Sequence, residues 1–507
     1  MKLAPRSFVL FAFAGVLGAC NSPTPTPPPT YMGYLDYQEV PECDPSITIQ
    51  KEGPALLIND PVALKGITLE KVMNRLLEDM GYPNATGNAL ELAQRLFDGS
   101  NNVDAGVYSD SYHCDSLSNP AHVNGPAAFC PRSEGALAAS KGLFLPGHKD
   151  HFVPVAVVNR FDLTPLTAET CGEARIVFAK ESGRTDPNDR VFLIFEASIP
   201  NPRFGDLGGC RGVARFWEGL QAEKDAAAIG DRINTFFFVG NQNQGRPPLI
   251  SINNLGFGLS SGASYYGGGG QIRISQHMDD HWELRQVVAA MTDSGTPSFD
   301  PVPVGNNPLT RLFGNPDSAS LDYEQSDFAA RFAGTNVDSL AQKSVTHIRS
   351  TYMSNDLSGE SALGGDPIND YVAAASHNVD LRESIKQRIA QLQLDCPADD
   401  PMTTDSILRR ATMDSCAGCH APSQFLGPDR KIGCGAVWPD SLGEVHIDEA
   451  GKLSPALTDV FLPHRAAVLE TFLKACEAPE DALNTDDGAS TKKLFRGQTL
   501  GGGSTTH

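Results

Sequence analysis

The sequence predicts an α+β protein: a large antiparallel β-rich body with helices, followed by a small all-α segment near the carboxyl end. Three observations carry that prediction. Apolar residues recur at helical spacing early in the body. Short Val-, Ile- and Phe-rich runs, separated by Gly, Pro, Asn and Asp clusters, then take over. Beyond residue 395 two amphipathic helices enclose the pentapeptide Cys416-Ala417-Gly418-Cys419-His420. With 507 residues and 40% hydrophobic content the chain can bury sizeable cores, and its length allows two or three domains.

At the amino end, Lys2 and Arg6 form a short positive region, residues 7–16 are apolar, and Leu17-Gly18-Ala19-Cys20 supplies small residues at a cleavage point. That run is too short to cross a bilayer as a helix, which takes about 20 apolar residues. The pattern resembles a bacterial lipoprotein signal over residues 1–19. The resemblance implies export, cleavage before Cys20, acylation of its thiol and anchoring by lipid, in the periplasm or at the cell surface. Asn21, in place of Asp, favours the outer membrane over the inner. An ordinary secretory signal with a coincidental Cys20 is the alternative. Residues 20–46 then read as a Pro- and Thr-rich tether, extended and semi-rigid.

The body spans residues 47–394. Helical spacing covers 67–80, through Val72, Met73, Leu76 and Leu77, and 88–97, through Leu92, Ala93 and Leu96. Strands are expected at 152–158, 174–179, 190–198, 235–239, 249–252 and 271–275, with helices at 215–230 and 282–291 between and after them. Helices return at 326–332, 337–354 and 380–394. The body resembles uncharacterised exported bacterial proteins that place a β-rich region ahead of a terminal C-x-x-C-H, and the ligand of this region stays unassigned.

The terminal segment spans residues 395–478. A helix at 405–415, capped by Thr403 or Thr404, delivers Cys416, and a closing helix at 463–477 starts with Pro463 in its first turn. C-x-x-C-H is the attachment signature of a c-type haem: two thiols form thioethers to the vinyl groups, and the adjacent imidazole ligates the iron. With 11 Cys and 12 His in the chain, about 0.006 such matches are expected by chance. The motif and the two helices resemble a monohaem cytochrome c domain. That resemblance implies covalent haem on Cys416 and Cys419, His420 as the proximal iron ligand, and one-electron exchange with a redox partner protein. The polar, Gly-rich residues 479–507 read as a disordered tail.

In the cytochrome c family a Met downstream commonly supplies the sixth ligand, yet no Met follows Met413 here. His446, 26 residues after His420, is the leading distal candidate, and His464, 44 residues after it, the next. A residue from the body, or no protein ligand, is the remaining possibility. A zinc site of Cys416, Cys419, Cys434 and His446 is a rival built from the same segment.

Once Cys20, Cys416 and Cys419 are assigned, eight cysteines remain, an even number suited to disulfides outside the cytoplasm. Proximity suggests Cys114 with Cys130, Cys171 with Cys210, and Cys434 with Cys476. Other motifs are weaker. Gly258-Leu259-Ser260-Ser261-Gly262 matches a hydrolase elbow but precedes four glycines where a helix is needed. His277 and His281 are spaced as on a zinc helix, without the general-base Glu after the first. His148 and His151 lie in an evident loop. A net charge of −21 disfavours nucleic acid as partner and favours a basic protein.

Overall fold

Among the described residues, seven strands hydrogen-bond in sequence order into one antiparallel sheet: β1 (Leu57–Ile58), β2 (Phe152–Arg160), β3 (Thr170–Lys180), β4 (Arg190–Pro200), β5 (Gln271–Asp279), β6 (His281–Met291) and β7 (Pro297–Val302). A short β8 (Ser361–Ala362) also pairs with β6. The computed structural model describes residues 44–474 apart from 82–84, 116–129, 166, 241–246, 257–269, 280, 292–295, 305–306, 315–321, 351–358, 360 and 363–368. Cys20 and the signal, the tether to residue 43, Cys43, Cys476, the stretch from Gly258 to Gly262 and the tail lie outside them. The chain is α+β, as its composition of elements predicts.

The two faces of the sheet differ in chemistry, and this difference positions the site. Residues in register share a face. On one face Ile176 pairs with Phe195 and with Val157, and this apolar side packs under helices, Phe97 of Ala85–Asp98 stacking on Phe152 at 5.5 Å. On the other, Arg160 pairs with Glu173, Arg175 with Glu196, and Ile194 with Arg273, so charged side chains sit among Val158, Val177 and Ile194. Both faces are covered, and β3 is buried over all but its first residue. The segment that covers the charged face is the carboxyl-terminal one.

That segment contains Thr404–Asp414, Cys416–His420, Pro422–Leu426, a hairpin of β9 (Lys431–Gly433) and β10 (Ala436–Val437), and the closing helix Leu462–Lys474. The hairpin means it is not purely helical. The boundary expected between residues 394 and 395 falls within one continuous apolar core, which runs from Ile47 to Leu473.

Other elements depart from the sequence prediction for physical reasons. Residues 282–291, expected as helix, form most of β6, because a strand covered on both faces loses its alternation. The Phe-rich 235–239, expected as strand, continues the helix Ala226–Asn234 as a wide turn, with Phe236 stacked on Phe216 at 4.6 Å. Leu249 and Ile250 are buried in a loop rather than a strand. The single helix expected at 215–230 is two, Arg211–Glu218 and Ala226–Asn234. Of 337–354 only Val337–Leu340 and a turn at Val345–His347 are helical among the described residues. No described helix is long and apolar enough to cross a membrane.

Candidate functional site

Local sequence chemistry presents the C-x-x-C-H motif as one helical turn. Thr403 caps the helix Thr404–Asp414 in a reciprocal box with Ser406. Ser415 then leaves helical geometry, at φ −78° and ψ 158°, and its Oγ accepts from the Gly418 N–H, restarting the chain as Cys416–His420. Cys416 and Cys419, three residues apart, therefore stand on neighbouring positions of that turn. Gly418 is required there, because a Cβ would overlap the Thr412 carbonyl.

Both cysteines remain thiols, each 1% exposed. Burial pushes the Cys416 thiol up to about 11 and raises that of Cys419 further. The Cys419 Sγ lies 3.3 Å from His446 Nε2, and His446 Nδ1 lies 2.9 Å from Ser454 Oγ. A protonated thiol donates to Nε2, which leaves Nδ1–H to donate to Ser454. His420 is oriented differently. Its Nδ1 donates to the Glu444 carbonyl at 2.9 Å, which puts the lone pair on Nε2. Donation of the other ring N–H to a backbone carbonyl is how ligating histidines are commonly held. Trp282 of β6 lies over the His420 ring, centroids 4.6 Å apart at 30°.

Below this turn opens a partly solvent-open cavity. Cys419, His420 and His446 line it from the terminal segment, and the charged face of the sheet lines it from the body. Arg160 donates through Nε and Nη2 to Asp162 at 3.0 and 2.9 Å. Arg175 bridges Glu173 at 2.7 Å and Glu196 at 2.9 Å, and Arg273 approaches Glu196 at 3.2 Å. Burial pushes Asp162 up, but Arg160 and Arg465 outweigh it and hold the carboxyl down at about 2. Glu196 is likewise low, burial being outweighed by Arg175 and Arg273.

No family model, curated protein or solved structure matches this chain. A c-type haem fits several of the site's features: two buried thiols on one turn, of which Cys419 lines the cavity while Cys416 packs beside Trp282 and Leu284, an imidazole with its lone pair on Nε2, and a cavity whose opposite wall is cationic. His446 fits less directly as the opposite axial ligand. Its ring stands 4.8 Å from that of His420, whereas two imidazoles on opposite sides of one metal need roughly 6 Å at bond lengths of about 2 Å. His464 does not line the cavity. It packs 5.6 Å from His347, and burial pulls its pKa down to about 4.

Cys114 bonds Cys130 and Cys171 bonds Cys210, as proximity suggests. Cys434 bonds Cys396, which corrects the pairing with Cys476 and removes Cys434 from the four-ligand zinc set. Among the described residues no group of three or more His, Cys, Asp or Glu is arranged to hold a metal ion. His277 and His281 lie on consecutive strands, not on a helix. His148 is half-exposed beside Asp150.

Sequence reasoning missed Trp282 and the arginines of the sheet. A signal for the latter exists: Glu173-x-Arg175 places charges at alternate positions of an otherwise apolar run, all facing one way. Trp282 was hidden by the helical reading of 282–291.

Proposed function

We propose that the chain is an exported, lipid-anchored one-electron carrier whose terminal segment resembles a cytochrome c domain. Cys416 and Cys419 would hold a single c-type haem through thioethers, and His420 would ligate the iron through Nε2. When bound, the haem supplies reversible one-electron chemistry. The observation that carries this reading is the C-x-x-C-H turn placing Cys419 and His420 on the cavity wall, with His420 already held through Nδ1. Cys419 bound as a thioether would have no S–H to donate, so His446 Nε2 would be left as a free acceptor beside the cavity. Export is supported by three disulfides, which persist in oxidising compartments, and by the lipobox at Cys20. The acidic balance of −21 suits a basic redox partner.

The test is a covalent-haem stain on a denaturing gel, with full-length protein made alongside haem-attachment machinery. Wild type should stain, and Cys416→Ser with Cys419→Ser should abolish the stain. An unstained wild type of unmodified mass would overturn the proposal.

A further inference from the structure

The cavity holds a buried cation short of counter-charge. Arg465, on the closing helix, is 6% exposed and lines the cavity. It makes no hydrogen bond to any described residue, and its closest carboxylate contact is Asp162, 3.8 Å from Nε. Arg160, 2% exposed on β2, spends Nε and Nη2 on that same Asp162. Around the cavity four guanidiniums, of Arg160, Arg175, Arg273 and Arg465, meet three carboxylates, of Asp162, Glu173 and Glu196.

Burial, with Arg160 adding to it, pulls the Arg465 pKa down to about 9 in spite of Asp162. A guanidinium does not surrender its proton at neutral pH, so Arg465 stays charged in this setting. A buried charge that shares its one carboxylate with another guanidinium, at 3.8 Å and without a hydrogen bond, is costly. A carboxylate brought into the cavity by a ligand would complete the pair, through strong charge-assisted bonds.

We infer that Arg465, assisted by Arg160, is the anchor for a carboxylate of the molecule that fills this cavity. The inference rests on the haem reading for the identity of that molecule, and the carboxylates are then the two propionates. The body thus serves as the second half of the cofactor site. The sheet contributes Arg160, the terminal segment contributes Arg465, and neither lies in the C-x-x-C-H turn.

The probe is haemin against its dimethyl ester, which differs only in lacking the two ionised carboxylates. Full-length protein made without attachment machinery is titrated with each by absorbance. Haemin should bind at least about tenfold more tightly than the ester. Arg465→Gln should weaken haemin at least about tenfold while leaving the ester unchanged, and Arg465→Lys, which keeps the charge, should recover part of the loss. Equal affinities for haemin and ester in the wild type would overturn the inference, and so would Arg465→Gln weakening both alike. Should Arg465→Gln fail to fold, the wild-type comparison decides alone. The two proposals fail separately. A stained wild type without discrimination sinks only the anchor, and discrimination without a stain sinks only covalent attachment.

Discussion

Asp162 is the residue on which the buried charge balance turns. It accepts hydrogen bonds from Nε and Nη2 of Arg160 and is the carboxylate closest to Arg465. Asp162→Asn keeps the shape but leaves two buried guanidiniums without their shared counter-charge. Breaking a buried pair in this way costs about 3–5 kcal/mol, to be read from urea unfolding at pH 7. The pH dependence has a definite sign. The folded carboxyl titrates at about 2, below its ordinary 3.8, so its contribution is complete above pH 3.8 and is lost as pH falls through about 2. That limb amounts to roughly 2 kcal/mol and should be missing from Asp162→Asn. A variant as stable as wild type, with the same acid limb, would refute this account of Asp162. At this scale the C-x-x-C-H motif was legible because its chemistry is local. Arg465 was not, because nothing near it in sequence says that it meets β2.

At the scale of elements, the hairpin of β9 and β10 is tied by Cys434 to Cys396, just ahead of the helix that delivers the motif. The bond closes a separation of 38 residues, which in the chain-entropy view is worth about 4 kcal/mol. Cys396→Ser with Cys434→Ser should lower stability by up to about that amount, measured by denaturant midpoint at constant slope. Non-reducing peptide mapping should recover a peptide joining Cys396 to Cys434, and one joining Cys434 to Cys476 instead would contradict the structure. Strands were legible where one turn cluster follows another: β2, β3, β4 and β5 each extend an expected run. β6 was not legible because apolar residues occupy both of its faces, and periodicity cannot separate such a strand from a helix. The run from Phe236 to Phe238 failed in the opposite direction. Its β-propensity is overridden by aromatic packing against Phe216 and Trp217.

Across the whole molecule, the amino-terminal part and the terminal segment hold one another in place. Arg190 of β4 donates through Nε and Nη2 to Glu449, at 2.6 and 2.9 Å. Asn59 donates to the Gly451 carbonyl, the Ile49 N–H donates to Glu470, and Trp282 packs on His420. A sheet face that carries buried Arg160, Arg175, Glu196 and Arg273 cannot be left half-covered, since the terminal segment is what keeps water from part of it. Independent folding of residues 395–507 would expose Cys419 and strip Arg465 of Asp162. We therefore expect full-length protein to unfold in one cooperative transition, with calorimetric and van't Hoff enthalpies in agreement. The fragment 395–507, made alone, should show no cooperative transition. Two resolved transitions in the full chain, or a fragment that melts sharply, would mean that the terminal segment is a self-sufficient unit merely attached to the sheet. The cavity would then lose its cationic wall as a fixed feature, because that wall exists only while the two parts stay packed.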